Sequence, residues 1–279
     1  MTQDQAAAFD PAIAAALRED VGKGDITTAA VVDEDARAGA DIVFRSRGIV
    51  AGLAIAERAF ALADARLKLR LAAHDGAMVA AGTAVASIDG PVRGMLGAER
   101  VALNYLGRLS GIATLTFSYV SALGGLPARI VDTRKTTPGL RALERYAVRA
   151  GGGYNHRFDL HEAILIKDNH IAALGSLGEA VRRARERNGS GVVVEVECDT
   201  LAQVTEALGA GVDAVLLDNM APEDMREAVR QARERAMVEA SGGVGLEGVH
   251  ETALTGVDVI SVGALTHGAR SLDVALDFH

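Results

Sequence analysis

The sequence has few of the features that mark several large classes of protein. Tryptophan is absent and aromatic residues make up 4% of the 279 residues, so a platform for stacking nucleic-acid bases is missing. The 37 acidic residues outnumber the 29 basic ones, and the formal net charge is −8. The composition therefore argues against a nucleic-acid-binding protein.

Cysteine and long apolar runs are also scarce. Cys198 is the single cysteine, which excludes an internal disulfide framework and is typical of a reducing compartment. No apolar run approaches the roughly 20 residues that a membrane-spanning helix needs. Residues 1 to 10 show no secretory signal pattern. We therefore expect a cytoplasmic protein with neither a membrane nor a nucleic acid as its partner.

Apolar residues are abundant, at 49%, so the chain can form one large domain or two modest ones. The first 110 residues predict mixed α and β structure without a regular repeat, which favours an α+β domain. The predicted helices of this part and of the segment after it are residues 11–20, 53–63, 98–109 and 112–123. The predicted strands are residues 38–45, 67–72, 78–88 with a break at Gly82, and 92–95.

From residue 128 onward, apolar runs alternate with amphipathic helices. The predicted strands are residues 128–131, 163–166, 192–196, 214–217, 237–240 and 259–262. The predicted helices are residues 177–188, 201–208, 222–236 and 246–254. Near-continuous Val/Ile/Leu strands between helices indicate a parallel sheet covered by helices. The pattern predicts an open or incomplete β/α barrel. A doubly wound sheet is the alternative, but no strand is followed by the glycine pattern of a dinucleotide fold.

In a β/α barrel, functional residues gather where the strands end. Here two early strands are followed by cations, at Arg134-Lys135 and at Lys167. Two middle strands end in carboxylates, Glu197 and Asp218. These oxygens suit Mg²⁺, and they could equally accept hydrogen bonds from sugar hydroxyls.

Two late strands end in small residues. The segments are Ser241-Gly242-Gly243 and Val262-Gly263-Ala264, whose backbone N–H groups can approach a phosphate closely. His156-Arg157 follows a triple glycine and adds cations that can bind an anion, whereas His267 is interpreted as structural or solvated. The spacing thus predicts a barrel enzyme that acts on a phosphorylated, anionic small molecule with Mg²⁺.

Longer motifs resemble those of the quinolinate phosphoribosyltransferase family. They are Asp132-Thr133-Arg134-Lys135 with Pro138-Gly139-Leu140-Arg141, the segment from Tyr146 through Gly151-Gly152-Gly153 to His156-Arg157, and Leu165-Ile166-Lys167-Asp168-Asn169-His170. Shorter ones are Glu99-Arg100, Leu217-Asp218-Asn219-Met220 and Glu239-Ala240-Ser241-Gly242-Gly243. They occur in the family's order along nearly the whole chain.

The resemblance implies an N-terminal α/β sandwich over residues 1–111, completed by residues 266–279, and an incomplete β/α barrel with the active site over residues 112–265. It implies transfer of phosphoribose from phosphoribosyl pyrophosphate to quinolinate, with decarboxylation, to give nicotinate mononucleotide, pyrophosphate and CO₂ in NAD biosynthesis. It also implies a homodimer with shared active sites and leaves a higher oligomer open.

The resemblance further implies roles for individual residues. Arg134, His156, Arg157 and Lys167 would hold the two quinolinate carboxylates, with Thr133 as a further substrate-binding residue and Lys135 near the phosphates. Glu197 and Asp218 would face the ribose and Mg²⁺, and the two small-residue segments would bind the 5′-phosphate. Lys135, Lys167, Glu197 and Asp218 would be catalytic, and Arg100 would come from the neighbouring subunit. Two rivals are a homologue associated with molybdenum transport, with another acceptor, and a non-catalytic anion-binding protein.

Overall fold

The structure is a computed structural model that describes all 279 residues. Its helices are α1 (Gln3–Ala7), α2 (Asp10–Val21), α3 (Ile26–Val31), α4 (Leu53–Ala63), α5 (Val92–Ala122), α6 (Arg141–Ala150), α7 (Asp168–Leu174), α8 (Leu177–Asn188), α9 (Leu201–Gly209), α10 (Pro222–Ala232), α11 (Val249–Leu254) and α12 (Ala264–His267). Its strands are β1 (Arg37–Phe44), β2 (Gly48–Ile49), β3 (Lys68–Leu71), β4 (Met78–Val79), β5 (Ala84–Pro91), β6 (Arg129–Val131), β7 (Ile164–Ile166), β8 (Val194–Cys198), β9 (Ala214–Asp218), β10 (Met237–Ser241), β11 (Val259–Ser261) and β12 (Val274–Phe278).

The chain divides into two units. The first comprises Met1–Leu115, Ala142–Gly152 and Ala269–His279, and the second comprises Thr116–Arg141 and Gly153–Gly268. Residues 142–152, which the sequence predicts within the barrel domain, cluster with the first unit. The reason is local bonding: buried Glu144 accepts from Arg108, and the Tyr146 hydroxyl donates to Asp75.

An antiparallel sheet organises the first unit. Its strand order is β12-β1-β5-β3, with Ala40 of β1 opposite Phe278 and Arg37 opposite Pro91. The C-terminal strand therefore joins the sheet that the N-terminal residues form. The C-terminal half of β1 and most of β5 are buried, and α4 contributes further apolar side chains such as Leu53 and Phe60 to the core.

One helix of 31 residues, α5, replaces three predicted elements. The strand predicted over 92–95 is wrong, and so is the break between helices 98–109 and 112–123. Gly111 does not end a helix. A Cβ at this position would lie 2.0 Å from the carbonyl oxygen of Arg270, so the glycine permits close packing inside a continuous helix.

Six parallel strands organise the second unit, in the order β6-β11-β10-β9-β8-β7. Strands β7 to β11 are neighbours in chain order and are linked through helices, while β6 lies beside β11. A doubly wound sheet would reverse direction in the middle of its strand order, and this sheet does not. The incomplete β/α barrel is therefore confirmed.

Most predicted elements of this unit occur within a few residues of their expected bounds. Helix α8 has the predicted bounds, whereas α10 ends at Ala232 and α11 begins at Val249. Two helices of this unit, α7 and α12, are not predicted from the sequence, and neither is α6, most of which belongs to the first unit. Glu144 and Arg145 interrupt the buried face of α6, and α7 buries no residue. None of the helices combines the length and apolar character that crossing a bilayer requires.

Candidate active site

A cavity of about 860 Å³ lies within the second unit. It is lined by the residues that follow or end the parallel strands, as expected for a β/α barrel. All the site residues predicted in the barrel line it: Thr133, Arg134, Lys135, His156, Arg157, Lys167, Glu197, Asp218, Ser241, Gly242, Gly243, Val262, Gly263 and Ala264. Arg100 lies in the part of α5 that belongs to the first unit, and its side chain is 61% exposed.

Several lining residues have no role in the sequence analysis. They are Tyr119, Leu165, Leu216, Asn219, Glu239, Val244, Gly245, Ser261 and His267. His267, interpreted from the sequence as structural or solvated, therefore borders the cavity. Two apolar members lie two residues before a charged member and so face the cavity with it. Leu165 shares a face of β7 and its continuation with Lys167, and Leu216 shares a face of β9 with Asp218. This spacing was visible in the sequence.

Asp132 fixes the glycine-rich loop to the end of β6. The carboxylate is fully buried and accepts from Asn155 Nδ2 at 2.5 Å and from the His156 amide at 2.9 Å. The Asp132 amide donates to the carbonyl of Tyr154 at 3.2 Å. These bonds place His156 and Arg157 beside the residues that follow β6, which explains how two distant motifs form one site.

Arg134 and Arg157 form a cationic pair. The Arg134 Nε is buried without a hydrogen-bond partner. Burial, followed by the charge of Arg134, lowers the pKa of Arg157. Arg157 Nη1 donates to the carbonyl of Ala163 at 2.8 Å, so its guanidinium is held in place. Two neighbouring guanidinium groups and an unused donor are suited to binding an anion.

Lys167 and Glu197 form an ion pair that joins the ends of β7 and β8. The Lys167 side chain is 44% exposed and that of Glu197 is 12% exposed. The carboxylate is therefore largely enclosed, whereas the ammonium group is accessible from the cavity. Lys135 is held through its backbone: its amide donates to Thr133 Oγ1 at 3.1 Å, and its carbonyl accepts from Thr266 Oγ1 at 2.6 Å. Its side chain is exposed and free to meet a ligand.

His156, which is partly buried, forms a trio with two buried glutamates, Glu195 and Glu239. His156 Nε2 lies 3.3 Å from a carboxylate oxygen of each glutamate. Burial lowers the pKa of His156, but the two carboxylates outweigh it and raise this pKa to about 10. Burial raises the pKa of Glu195, His156 lowers it, and Glu239 raises it; the net direction is upward. Both shifts favour retention of an extra proton within the trio at neutral pH.

The other ring nitrogen restricts where that proton lies. The Arg157 amide donates to His156 Nδ1 at 2.8 Å, and Nδ1 can accept only when it carries no proton. The carboxylates favour a charged imidazole, whereas this amide requires a bare Nδ1. Because Nδ1 accepts from the amide, the protons of the trio lie on His156 Nε2 and on the glutamate carboxyl groups.

Sequence reasoning assigned no role to Glu195 and Glu239, although a signal was present. Each lies between apolar residues of a predicted buried strand, Val194 and Val196 in one case and Val238 and Ala240 in the other. A charge buried in this way needs a partner, and the partner is His156. Glu195, Glu239 and His156 are also close enough together to hold a metal ion.

Glu197 and Asp218 were the predicted ligands of Mg²⁺. They end neighbouring parallel strands, β8 and β9, and both line the cavity. The Asp218 carboxylate accepts from Asn219 Nδ2 at 3.0 Å. Two carboxylates facing one cavity are hard oxygen donors of the kind that Mg²⁺ takes while it keeps waters and binds substrate phosphates, so the residues fit the ion.

The loop after β10 supplies a close backbone approach. Gly242 has a φ of 89°, and a Cβ there would lie 2.4 Å from Asn219 Oδ1. Only glycine is compatible with both conditions. In the loop after β11, a Cβ at Gly263 would lie 3.0 Å from Lys135 Cδ. The two loops therefore line the cavity with exposed backbone, as a phosphate-binding site requires.

Known proteins are similar to this chain in sequence and in structure. A family model described as "Quinolinate phosphoribosyl transferase, N-terminal domain" matches residues 25–110, and the corresponding C-terminal domain model matches residues 112–277. The "Probable nicotinate-nucleotide pyrophosphorylase (carboxylating)" of Bacillus subtilis is 47% identical over 259 residues, which cover 93% of this chain and 89% of that protein. The "Nicotinate-nucleotide pyrophosphorylase (carboxylating)" of Mycobacterium leprae is 42% identical and covers 96% of this chain and 98% of its own.

Solved structures agree with the sequence comparisons. The crystal structure of NadC from Streptococcus pyogenes has a TM-score of 0.94 and 43% sequence identity, and the match covers 100% of this chain and 99% of that one. The nicotinate-nucleotide pyrophosphorylase from Francisella tularensis has a TM-score of 0.92 at 36% identity, with coverage of 100% and 98%.

Proposed function

This chain belongs to the quinolinate phosphoribosyltransferase family, and we propose that it catalyses the family's decarboxylating transfer. Phosphoribosyl pyrophosphate and quinolinate give nicotinate mononucleotide, pyrophosphate and CO₂, a step of NAD biosynthesis. The observation that supports this most directly is the cavity itself. Its cations, Arg134, Arg157 and Lys167, suit a dicarboxylate, and its two loops of exposed backbone suit a phosphate.

Substrate positioning is the first contribution of these residues. Arg134, Arg157 and Lys167 bind the two carboxylates of quinolinate, and the Arg134 Nε is available as a donor. Thr133 binds substrate beside them, and Lys135 lies near the phosphates. The segments 241–243 and 262–264 bind the 5′-phosphate through backbone N–H groups. Holding both substrates in this way converts a bimolecular reaction into an effectively unimolecular one.

The bond changes follow from that arrangement. The pyridine nitrogen forms a bond to the anomeric carbon as the bond from that carbon to pyrophosphate breaks, and positive charge develops on the ribose. Glu197 and Asp218 face this charge and stabilise it. The C2 carboxylate then leaves as CO₂, and its bonding electrons stay on carbon beside the cationic ring nitrogen until a proton replaces the lost group.

Glu197 and Asp218 would also hold Mg²⁺. When bound, the ion neutralises charge on the pyrophosphate leaving group. Because Lys167 is paired with Glu197, binding of quinolinate would draw Lys167 toward a substrate carboxylate and release Glu197 for the ribose or the ion. Full activity in excess chelator would contradict the metal role.

The assay that tests the function measures CO₂ and pyrophosphate together. Purified protein with phosphoribosyl pyrophosphate and quinolinate should release both in equal amounts. Nicotinate should be a poor substitute, because it has one carboxylate for a site with several cations. Equal turnover of nicotinate would contradict the assignment of quinolinate as the acceptor. The absence of turnover with either acid would favour a homologue with another acceptor or a non-catalytic anion-binding protein.

The active site is proposed to be shared across a homodimer, with Arg100 of one subunit reaching the site of the other. Arg100 is 61% exposed and lies 3.7 Å from Glu99, an ordinary surface contact that leaves its guanidinium available. Mixed dimers of Arg100→Ala and Lys135→Ala test this. If Arg100 acts across the interface, half the dimers carry one intact site and about a quarter of wild-type activity returns. If it acts within its own subunit, none returns.

A cytoplasmic location stays a prediction. The buried free thiol of Cys198 is compatible with a reducing compartment. Fractionation of cells that express the protein would test it.

A further inference from the structure

Two side chains, Asp132 and His156, hold one backbone segment beside the cavity. Asp132 Oδ1 accepts from the His156 amide at 2.9 Å, and His156 Nδ1 accepts from the Arg157 amide at 2.8 Å. The His156 ring can hold the Arg157 amide only while it keeps one orientation, with Nδ1 toward the backbone. What fixes the ring in that orientation therefore also fixes Arg157.

The two glutamates are placed to do this. Glu195 of β8 and Glu239 of β10 approach His156 Nε2 from two strands, each at 3.3 Å, and β9 lies between these strands. Glu195 is 6% exposed and Glu239 is 1% exposed, so water cannot replace either carboxylate as the partner of Nε2. Rotation of the ring by half a turn would put a carbon atom in place of Nε2 and leave both carboxylates without this partner, at a high cost in buried charge.

We infer that Glu195 and Glu239 are positioning residues for the acceptor site, which act through His156 to hold Arg157 where it binds a substrate carboxylate. The inference rests on the proposed function. It gives His156 a role different from a direct hydrogen bond to the substrate, because both of its ring nitrogens already have protein partners.

A bound metal ion is the competing use of the same three side chains, which are close enough to ligate one. Two observations disfavour it. The charge of Arg157 acts on Glu195, so a dication at the trio would face a nearby guanidinium group. His156 Nε2 is also already at hydrogen-bond distance from both carboxylates.

The test compares KM values for the two substrates. Glu239→Ala and Glu195→Ala should each raise the KM for quinolinate about tenfold or more, because a misplaced Arg157 binds the carboxylate poorly. The KM for phosphoribosyl pyrophosphate should stay within about twofold. Glu239→Gln, whose amide oxygen can still accept from Nε2, should recover part of the loss. Equal rises in both KM values, or no rise, would overturn the inference.

Glu144 provides a matched control. It is a fully buried glutamate in the first unit that pairs with Arg108. Glu144→Gln should lower the thermal midpoint without changing the ratio of the two KM values. If the glutamate variants of the trio behaved in the same way, their role would be structural, and the inference would be wrong.

A spectroscopic measurement separates this inference from the proposed function. The ¹⁵N resonances of His156 should show a bare Nδ1 and a protonated, hydrogen-bonded Nε2 in the wild type, and Glu239→Gln should perturb them. This readout needs no turnover, so it holds even for a protein that is inactive on quinolinate. A protonated Nδ1 in the wild type, or a stoichiometric metal ion that remains after Glu197 and Asp218 are both substituted, would overturn the inference. If the alanine variants do not fold, Glu239→Gln decides the question by both measurements.

Discussion

The two units treat buried polar groups differently. In the first unit, buried Glu144 accepts two bonds from Arg108, and Arg108 also donates to the carbonyl of Ala269. In the second unit, one oxygen each of Glu195 and Glu239 and the Nε of Arg134 are buried without a partner. Buried polar atoms are normally satisfied. The contrast indicates that the first unit uses its buried charges for folding, whereas the second leaves buried polar atoms unsatisfied beside the cavity.

The same contrast separates the two sheets. The antiparallel sheet of the first unit exposes most of its edge strand β3. In the parallel sheet, β9 is buried along nearly its whole length and ends in Asp218. Substitutions at the strand ends of the second unit should therefore reduce activity more than stability, and substitutions in the packed glycines of the first unit should do the reverse.

The largest effect is expected at the carboxylates of the second unit. Asp218→Asn and Glu197→Gln should each reduce kcat/KM by about 100- to 1,000-fold, because the developing charge on the ribose loses its stabilisation. The thermal midpoint should stay within about 2 °C, because neither carboxylate is part of the core. Kinetic assays and calorimetry on the same preparations measure both. A large fall in the midpoint with little loss of activity would reverse the contrast between the units.

Arg157→Ala comes next. Loss of the Arg157 guanidinium should leave a substrate carboxylate poorly paired. Transition-state stabilisation, measured from kcat/KM for quinolinate, should fall by about 2–4 kcal/mol. Arg183→Ala is the matched control, since Arg183 is an arginine of the same unit that is 48% exposed on α8 and pairs with Glu179. The control should have wild-type kinetics. Similar losses in the two variants would mean that net charge, rather than the site, sets the rate.

Much of this architecture could be predicted because parallel strands and their ends have a local pattern. Helices 53–63 and 177–188 were predicted with the bounds that the structure shows, and the barrel residues of the predicted site line one cavity. The continuity of α5 could not be predicted, because Gly111 interrupts the helical sequence pattern. The glycine is needed there because the Arg270 carbonyl, far away in the chain, packs against it. Long-range contacts of this kind leave no trace in a local window.

The same limit applied to the trio of His156, Glu195 and Glu239. Glu195 and Glu239 were visible as charges within apolar strands, but their shared partner His156 is distant from both in sequence. Asp132 was part of a recognised motif, yet its carboxylate serves the backbone of the glycine-rich loop rather than a ligand. Periodicity identifies the face on which a residue lies, whereas only the fold shows which residues meet there.

A glycine of the first unit tests the other half of the contrast. Gly111→Ala should destabilise the protein by about 2–4 kcal/mol, because the new methyl group would collide with the Arg270 carbonyl. At Gly97, in the same helix, a Cβ would have no neighbouring atom within 4 Å. Gly97→Ala should therefore stabilise the helix by up to about 1 kcal/mol. Denaturant unfolding measures both, and equal effects at the two positions would contradict the role of close packing at Gly111.

The smallest effect on activity is expected at Cys198, which is adjacent to Glu197, a site of the largest expected effect. Cys198 follows Glu197 on β8 and points to the opposite face of the strand, away from the cavity. It is fully buried, and burial raises the pKa of its thiol to about 12. Cys198→Ala should keep wild-type kinetics and lose about 1 kcal/mol of stability, the cost of removing a small buried group. The native thiol should react with iodoacetamide at pH 8 far more slowly than the thiol of the unfolded chain, because thiolate and access are both lacking. Rapid labelling of the folded protein, or loss of activity in Cys198→Ala, would show that the two faces of this strand are not separate in function.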